Sequence, residues 1–122
     1  MPPPISIESR SLSRREFELA DWLLRNSTLI SEPEKEKFRA QLGRAVVSSG
    51  CVCGCATIDF TVDGKKLGTG GLRPISEAVV GENEFGIFIH ECEGLLSGME
   101  IYALANLELP SEFPPISDVK TG

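Results

Sequence analysis

Hydrophobic and polar positions change period near Arg44. Before it, Phe17, Ala20, Leu23 and Leu24 recur at helical spacing and predict one apolar stripe. Ser13 with Glu16 three residues on forms a capping box, and Leu12 is placed to staple onto Phe17. Arg14, Glu18, Asp21 and Arg25 fall opposite the stripe and can pair at i,i+4, so the arginines are expected on a solvated face rather than at a phosphate. Trp22 lies off the stripe and Leu19 at its edge, which fits either a wide buried face or a dimer contact. A second helix starts at Ser31, carries Pro33 in its first turn with Glu34 as capping partner, and stops at Gly43. Its few apolar residues, chiefly Phe38 and Leu42, predict docking by one edge.

After Arg44 the pattern alternates. Residues 45–48, the run through Ile58, Phe60 and Val62, and residues 75–80, 85–92 and 99–104 read as strands. Asp63-Gly64, Gly81 to Glu84 and Glu93-Gly94 read as turns. Residues 85–92 are apolar on both sides, which predicts a central strand. Residues 65–71 read as a flexible loop without the Gly-Lys-Ser/Thr ending that would cradle a phosphate. The proline-led residues 1–11 are expected to be irregular, and residues 106–122, rich in proline and acid, to form a surface tail. The fold class is therefore α+β in a single domain spanning 1–122. Two N-terminal helices (12–43) pack on one face of an antiparallel sheet of four to five strands (44–105).

Charge sharpens this picture. Residues 1–44 carry eight Lys/Arg and seven Asp/Glu, whereas residues 45–122 carry four and eleven. An acidic sheet half repels phosphate backbones, so no nucleic-acid partner is expected. No apolar run approaches the roughly 20 residues of a membrane helix, so no membrane partner is expected either. Four cysteines without a basic-then-apolar leader at Met1 to Pro4 point to reduced thiols in the cytoplasm.

The candidate chemistry centres on Cys51, Cys53 and Cys55, with His90 and Cys92 further on. Alternate residues of an extended strand point the same way, and Gly54 can turn the backbone. Zinc needs four ligands, which Cys51, Cys53 or Cys55, His90 and Cys92 can supply. The spacing is C-x-C with H-x-C rather than paired C-x-x-C. Clustered thiols beside glycine also suit redox chemistry. Asp59, Glu91, Glu93 and Glu100 are carboxylates that can meet on a sheet face for acid–base work. No complete catalytic set emerges. The leading expectation is a non-enzymatic domain that binds a partner as a homodimer; a subsidiary form, resting on charge alone, is an acidic protein that neutralises a basic toxin or enzyme. The alternative is a zinc-binding protein, and the third a small enzyme with a thiol or carboxylate site.

Two resemblances follow from these residues. Ser49 to Gly54, followed by the alternation from Ile58 to Gly64, resembles the opening of the glutathione-dependent formaldehyde-activating (GFA-like) zinc family. That likeness spans about one eighth of the chain and implies zinc ligands at Cys51 and Cys53. Two additional residues precede the strand here, and the family's later cysteine groups are missing. Over most of its length the chain resembles a family of short bacterial proteins of unknown function. The likeness rests on Leu12 to Glu16, a C-x-C-G-C-x-[ST]-[IV]-D block at Cys51 to Asp59, a segment from Leu96 to Tyr102, and a proline-rich tail. It implies a bacterial cytosolic protein and carries over no catalytic residue.

Overall fold

The structure, a computed structural model, describes residues 5–50, 54–64 and 71–121. The chain runs β1 (Ile5–Ser11), α1 (Arg14–Arg25), α2 (Glu32–Leu42), β2 (Ala45–Gly50), β3 (Ile58–Val62), β4 (Arg73–Val80), β5 (Phe85–Cys92), β6 (Leu95–Ala103), a single 3-10 turn (Ile116–Asp118) and β7 (Val119–Thr121). The strands form one antiparallel sheet in the order β1-β2-β3-β6-β5-β4-β7. The sheet thus has seven strands rather than the four to five expected. The additional two come from the segments read as irregular and as tail. Proline masks the alternation of Ile5-Ser6-Ile7-Glu8, and β7 is too short to show a period. Nor does residues 106–122 lie wholly on the surface: Phe113 and Val119 are buried, and Pro110 accepts a backbone bond from Ala56.

Helix α1 is capped as its sequence predicts. The Ser13 hydroxyl accepts from Glu16 N, and the Glu16 carboxylate accepts from Ser13 N at 2.7 Å. Its buried side is rotated from the predicted stripe. Leu19, Ala20, Leu23 and Leu24 are buried, whereas Phe17 is 42% exposed and Trp22 packs half-buried on the core. The rotation is possible because Glu16 can be buried: Arg10 meets its carboxylate with two bonds, at 2.8 and 2.9 Å. Arg14–Glu18 and Asp21–Arg25 pair across the solvated side as expected. Helix α2 buries Phe38, Gln41 and Leu42. Its Gln41 amide bridges the tip of the β5–β6 hairpin, donating to Gly94 O and accepting from Leu96 N, both at 2.9 Å.

The helices cover one face of the sheet. Val47, Ile58, Phe60, Val62, Ile87, Ile89, Met99 and Ile101 bury into them. The alternating residues Asp59, Thr61, Phe88, Glu100 and Tyr102 point the other way and are half-buried or exposed. Strand β5 sits between β4 and β6, inside the sheet as predicted. Glu93 and Gly94, at φ 53 and 84, supply the two positive-φ positions of its tight hairpin to β6.

Candidate functional site

The face away from the helices has three rows across its central strands. Register sets Glu77 beside Phe88 and Phe88 beside Glu100; His90 beside Gly98 and Gly98 beside Asp59; Val79 beside Gly86 and Gly86 beside Tyr102. Each glycine makes room for an aromatic neighbour. The Tyr102 ring fills the space over Gly86, and the His90 ring fills that over Gly98. An aromatic ladder results: Phe88 lies 5.9 Å from Tyr102, edge to face, and 5.7 Å from His90. Apart from Arg73, which reaches to Glu34 and Glu91, these four strands contain no Lys or Arg.

Three irregularities of pairing converge on the His90 row. Ser48 in β2, Ile75 in β4 and Ser97 in β6 are each an additional residue with no partner opposite. Such bulges re-aim side chains, and they gather near functional sites. Here the Ser97 bulge brings its hydroxyl 2.5 Å from His90 Nδ1. On the other side, Ser49 donates to Asp59 Oδ2 at 2.6 Å. Ser48, Ser49, Asp59, Thr61, Leu72, His90 and Ser97 enclose an open cleft of about 340 Å³.

His90 is 2% exposed, yet its Nε2 has no hydrogen-bond partner among the described residues. The nearest carboxylate oxygen, Glu100 Oε1, stands at 3.8 Å, too far for a bond. Burial pushes the His90 pKa down, and the carboxylates of Glu100 and Asp59 only partly offset this. The ring is therefore neutral at pH 7. A buried polar atom left unsatisfied costs free energy, so this one marks a place where a bonding partner is wanted. A histidine–serine pair is also a base and a nucleophile. Ser97, however, is 1% exposed and lies on the Nδ1 side, so its contact orients the ring rather than presenting a hydroxyl to substrate.

The candidate residues read from the sequence divide. Cys51 and Cys53 lie outside the described residues, as does most of the 65–71 loop. Cys55 borders a separate cleft of about 590 Å³ with Arg10, Arg15, Glu16, Thr57 and Phe113. Cys92 is buried opposite Leu95, at the hairpin end of β6. Thr57 bonds to Ile101 N at the other end, about 20 Å away at 3.3 Å per residue. The structure therefore does not bring Cys55 and Cys92 together, whereas two thiolates on one zinc must nearly touch. Among the described residues no three His, Cys, Asp or Glu side chains gather in metal-binding geometry. Of the four carboxylates, Asp59 and Glu100 do share a face beside His90. Glu91 points to the helix side, where it accepts from Arg73 Nε at 2.8 Å and from Gly94 N at 2.8 Å, and Glu93 is exposed in the turn. Ser97 escaped the sequence reading, because a bulge depends on pairing that the sequence does not display.

Among the described residues no helix is long and apolar enough to cross a membrane. No protein-family model, curated protein or solved structure matches this chain.

Proposed function

We propose that this protein is a non-enzymatic partner-binding domain, and that it binds through the sheet face opposite the helices. The observation that carries the reading is the buried His90 Nε2, which lacks a bonding partner among the described residues, in a side chain that lines a cleft on that face. The surroundings agree. Phe88 and Tyr102 offer rigid aromatic contact area, of the kind enriched at interface centres. Glu77, Asp59 and Glu100 give the face a negative character, which suits a basic protein. A second copy of this chain is the less favoured partner, since face-to-face pairing opposes these same carboxylates to one another. Light scattering at tens of micromolar separates the two cases: the reading expects a monomer, and a dimer broken by Phe88→Glu would replace the basic partner with a second copy.

The direct test selects binders from a random peptide library on the intact protein. Selected peptides are expected to lose at least tenfold in affinity to a Phe88→Ser, Tyr102→Ser variant. Peptides that bind wild type and variant alike would refute the choice of face.

A second reading departs from the expected set of Cys51, Cys53 or Cys55, His90 and Cys92 by leaving out Cys92, which lies far from Cys55, and keeps zinc on the cysteine run with Gly54. At φ 83 this glycine takes the left-handed conformation just before Cys55. Protein purified without chelator would then retain zinc, and less than about a tenth of an equivalent would contradict it.

A further inference from the structure

The acceptors beside Phe88 have a common feature: each wants a donor. Among the described residues Asp59 accepts at Oδ2, from the Ser49 hydroxyl. Glu100 has its oxygen 3.8 Å from His90 Nε2. Neither carboxylate pairs with an arginine or lysine among the described residues, in contrast to Glu16, Asp63 and Glu91, which pair with Arg10, Arg44 and Arg73. Nε2 completes the set if Nδ1–H donates to Ser97 Oγ, because the other ring nitrogen then carries only a lone pair. From this juxtaposition we infer that the cleft lined by Asp59 and His90 receives the guanidinium group of an arginine on a basic protein partner, which donates to Asp59 and His90 Nε2 and, beside the cleft, to Glu100.

An arginine fits better than a lysine for two reasons. Its five N–H donors form a fixed planar fork that can serve three separated acceptors at once, whereas an ammonium is a compact point charge. The Phe88 ring between Glu77 and Glu100 adds a surface on which a guanidinium stacks. The Ser48 and Ser97 bulges shape the cleft, and the Ser97 hydroxyl stands where it can accept from Nδ1–H, the arrangement that leaves Nε2 as an acceptor. Neutral His90 is required, since an imidazolium would repel the incoming cation.

This inference deepens the partner-binding reading and rests on it, but its test is separate. The full-length protein, with nitrogen-15 in its histidine, is titrated with N-acetylargininamide, N-acetyllysinamide and N-acetylcitrullinamide. Before addition, the His90 nitrogens should show Nδ1 protonated and Nε2 bare. The arginine compound should then shift Nε2 in a saturable way, bind at least fivefold tighter than the lysine compound, and leave citrulline silent. Asp59→Asn and Glu100→Gln should each weaken binding at least fivefold without altering the tautomer. An Nε2–H tautomer, equal binding of arginine and citrulline, or no response of His90 would overturn the inference. If library-selected peptides still bound the Phe88 face in that event, the partner-binding reading would stand without the arginine.

Discussion

The imidazole of His90 occupies the space where a side chain on Gly98 would lie. A Cβ there would stand 2.6 Å from His90 Cε1, 2.8 Å from Nε2 and 2.8 Å from the Ile58 carbonyl oxygen. None of these contacts is tolerable, and the Ile58 backbone cannot step aside as a side-chain tip can. Gly98→Ala should therefore destabilise the fold by about 1–3 kcal/mol, the usual range for overpacking. It should also displace the His90 ring. Denaturant unfolding together with the His90 ring resonances checks both, and a variant unchanged in both would show that the ring is placed elsewhere.

Protonation of His90 gives a pH signature. Its folded pKa is depressed by burial, against the pull of Glu100 and Asp59, the charged groups that face it; Ser97 and Phe88 are its neutral neighbours. The unfolded chain, with a pKa near about 6.5, thus binds the proton more readily than the folded one. Stability is fully present above that value and is lost as pH falls through the folded value. Thermal unfolding from pH 7.5 to 5 should show this decline, and His90→Gln should flatten it. An equally steep decline in the variant would assign the proton uptake to other groups.

Gln41 ties α2 to the β5–β6 hairpin through two bonds, one given and one received. Replacing it with alanine leaves Leu96 N buried without its acceptor. The expected loss is about 1–3 kcal/mol. Amide exchange should accelerate at Leu96 and in the turn before it, ahead of the sheet as a whole. Unchanged exchange there would mean that the hairpin is held without the glutamine.

The Arg10–Glu16 pair sets an acid limit on the β1–α1 junction. Burial pushes the Glu16 carboxyl up, but the Arg10 contacts and the Ser13 N–H outweigh this and hold it below the usual carboxylate value. A carboxyl with a depressed folded pKa contributes stability above its unfolded pKa, about 4.3, and loses it as pH falls through the folded value. Arg10→Ala should be less stable at pH 7 and should lose less on acidification from pH 5 to 3. A parallel acid profile would show that the pair is solvated and inconsequential.

These particulars also show what the sequence could convey. The caps at Ser13 and Ser31, the turns at Asp63-Gly64 and Glu93-Gly94 and the central place of β5 depend on local chemistry or on strong patterning, and they were legible. The buried side of α1 was not, because the apolar count favours Phe17 and nothing local reveals that Arg10 escorts Glu16 inward. Strands β1 and β7 hide in proline-bearing segments and lie at the two edges, where pairing with one neighbour suffices. Asp59 and Glu100 could be named as carboxylates able to share a face. That they share it with His90, and that Ser97 turns toward it, follows from strand order and bulges, which arise only when the strands pair.

The central claim is that the face bearing Phe88 and His90 is where partners bind. Amide shift mapping with a library-selected peptide tests it most directly. The account predicts that the largest shifts fall on Phe88, His90, Gly98, Glu100 and Tyr102, with α1 and α2 nearly unmoved. Shifts concentrated on the helices instead would contradict it.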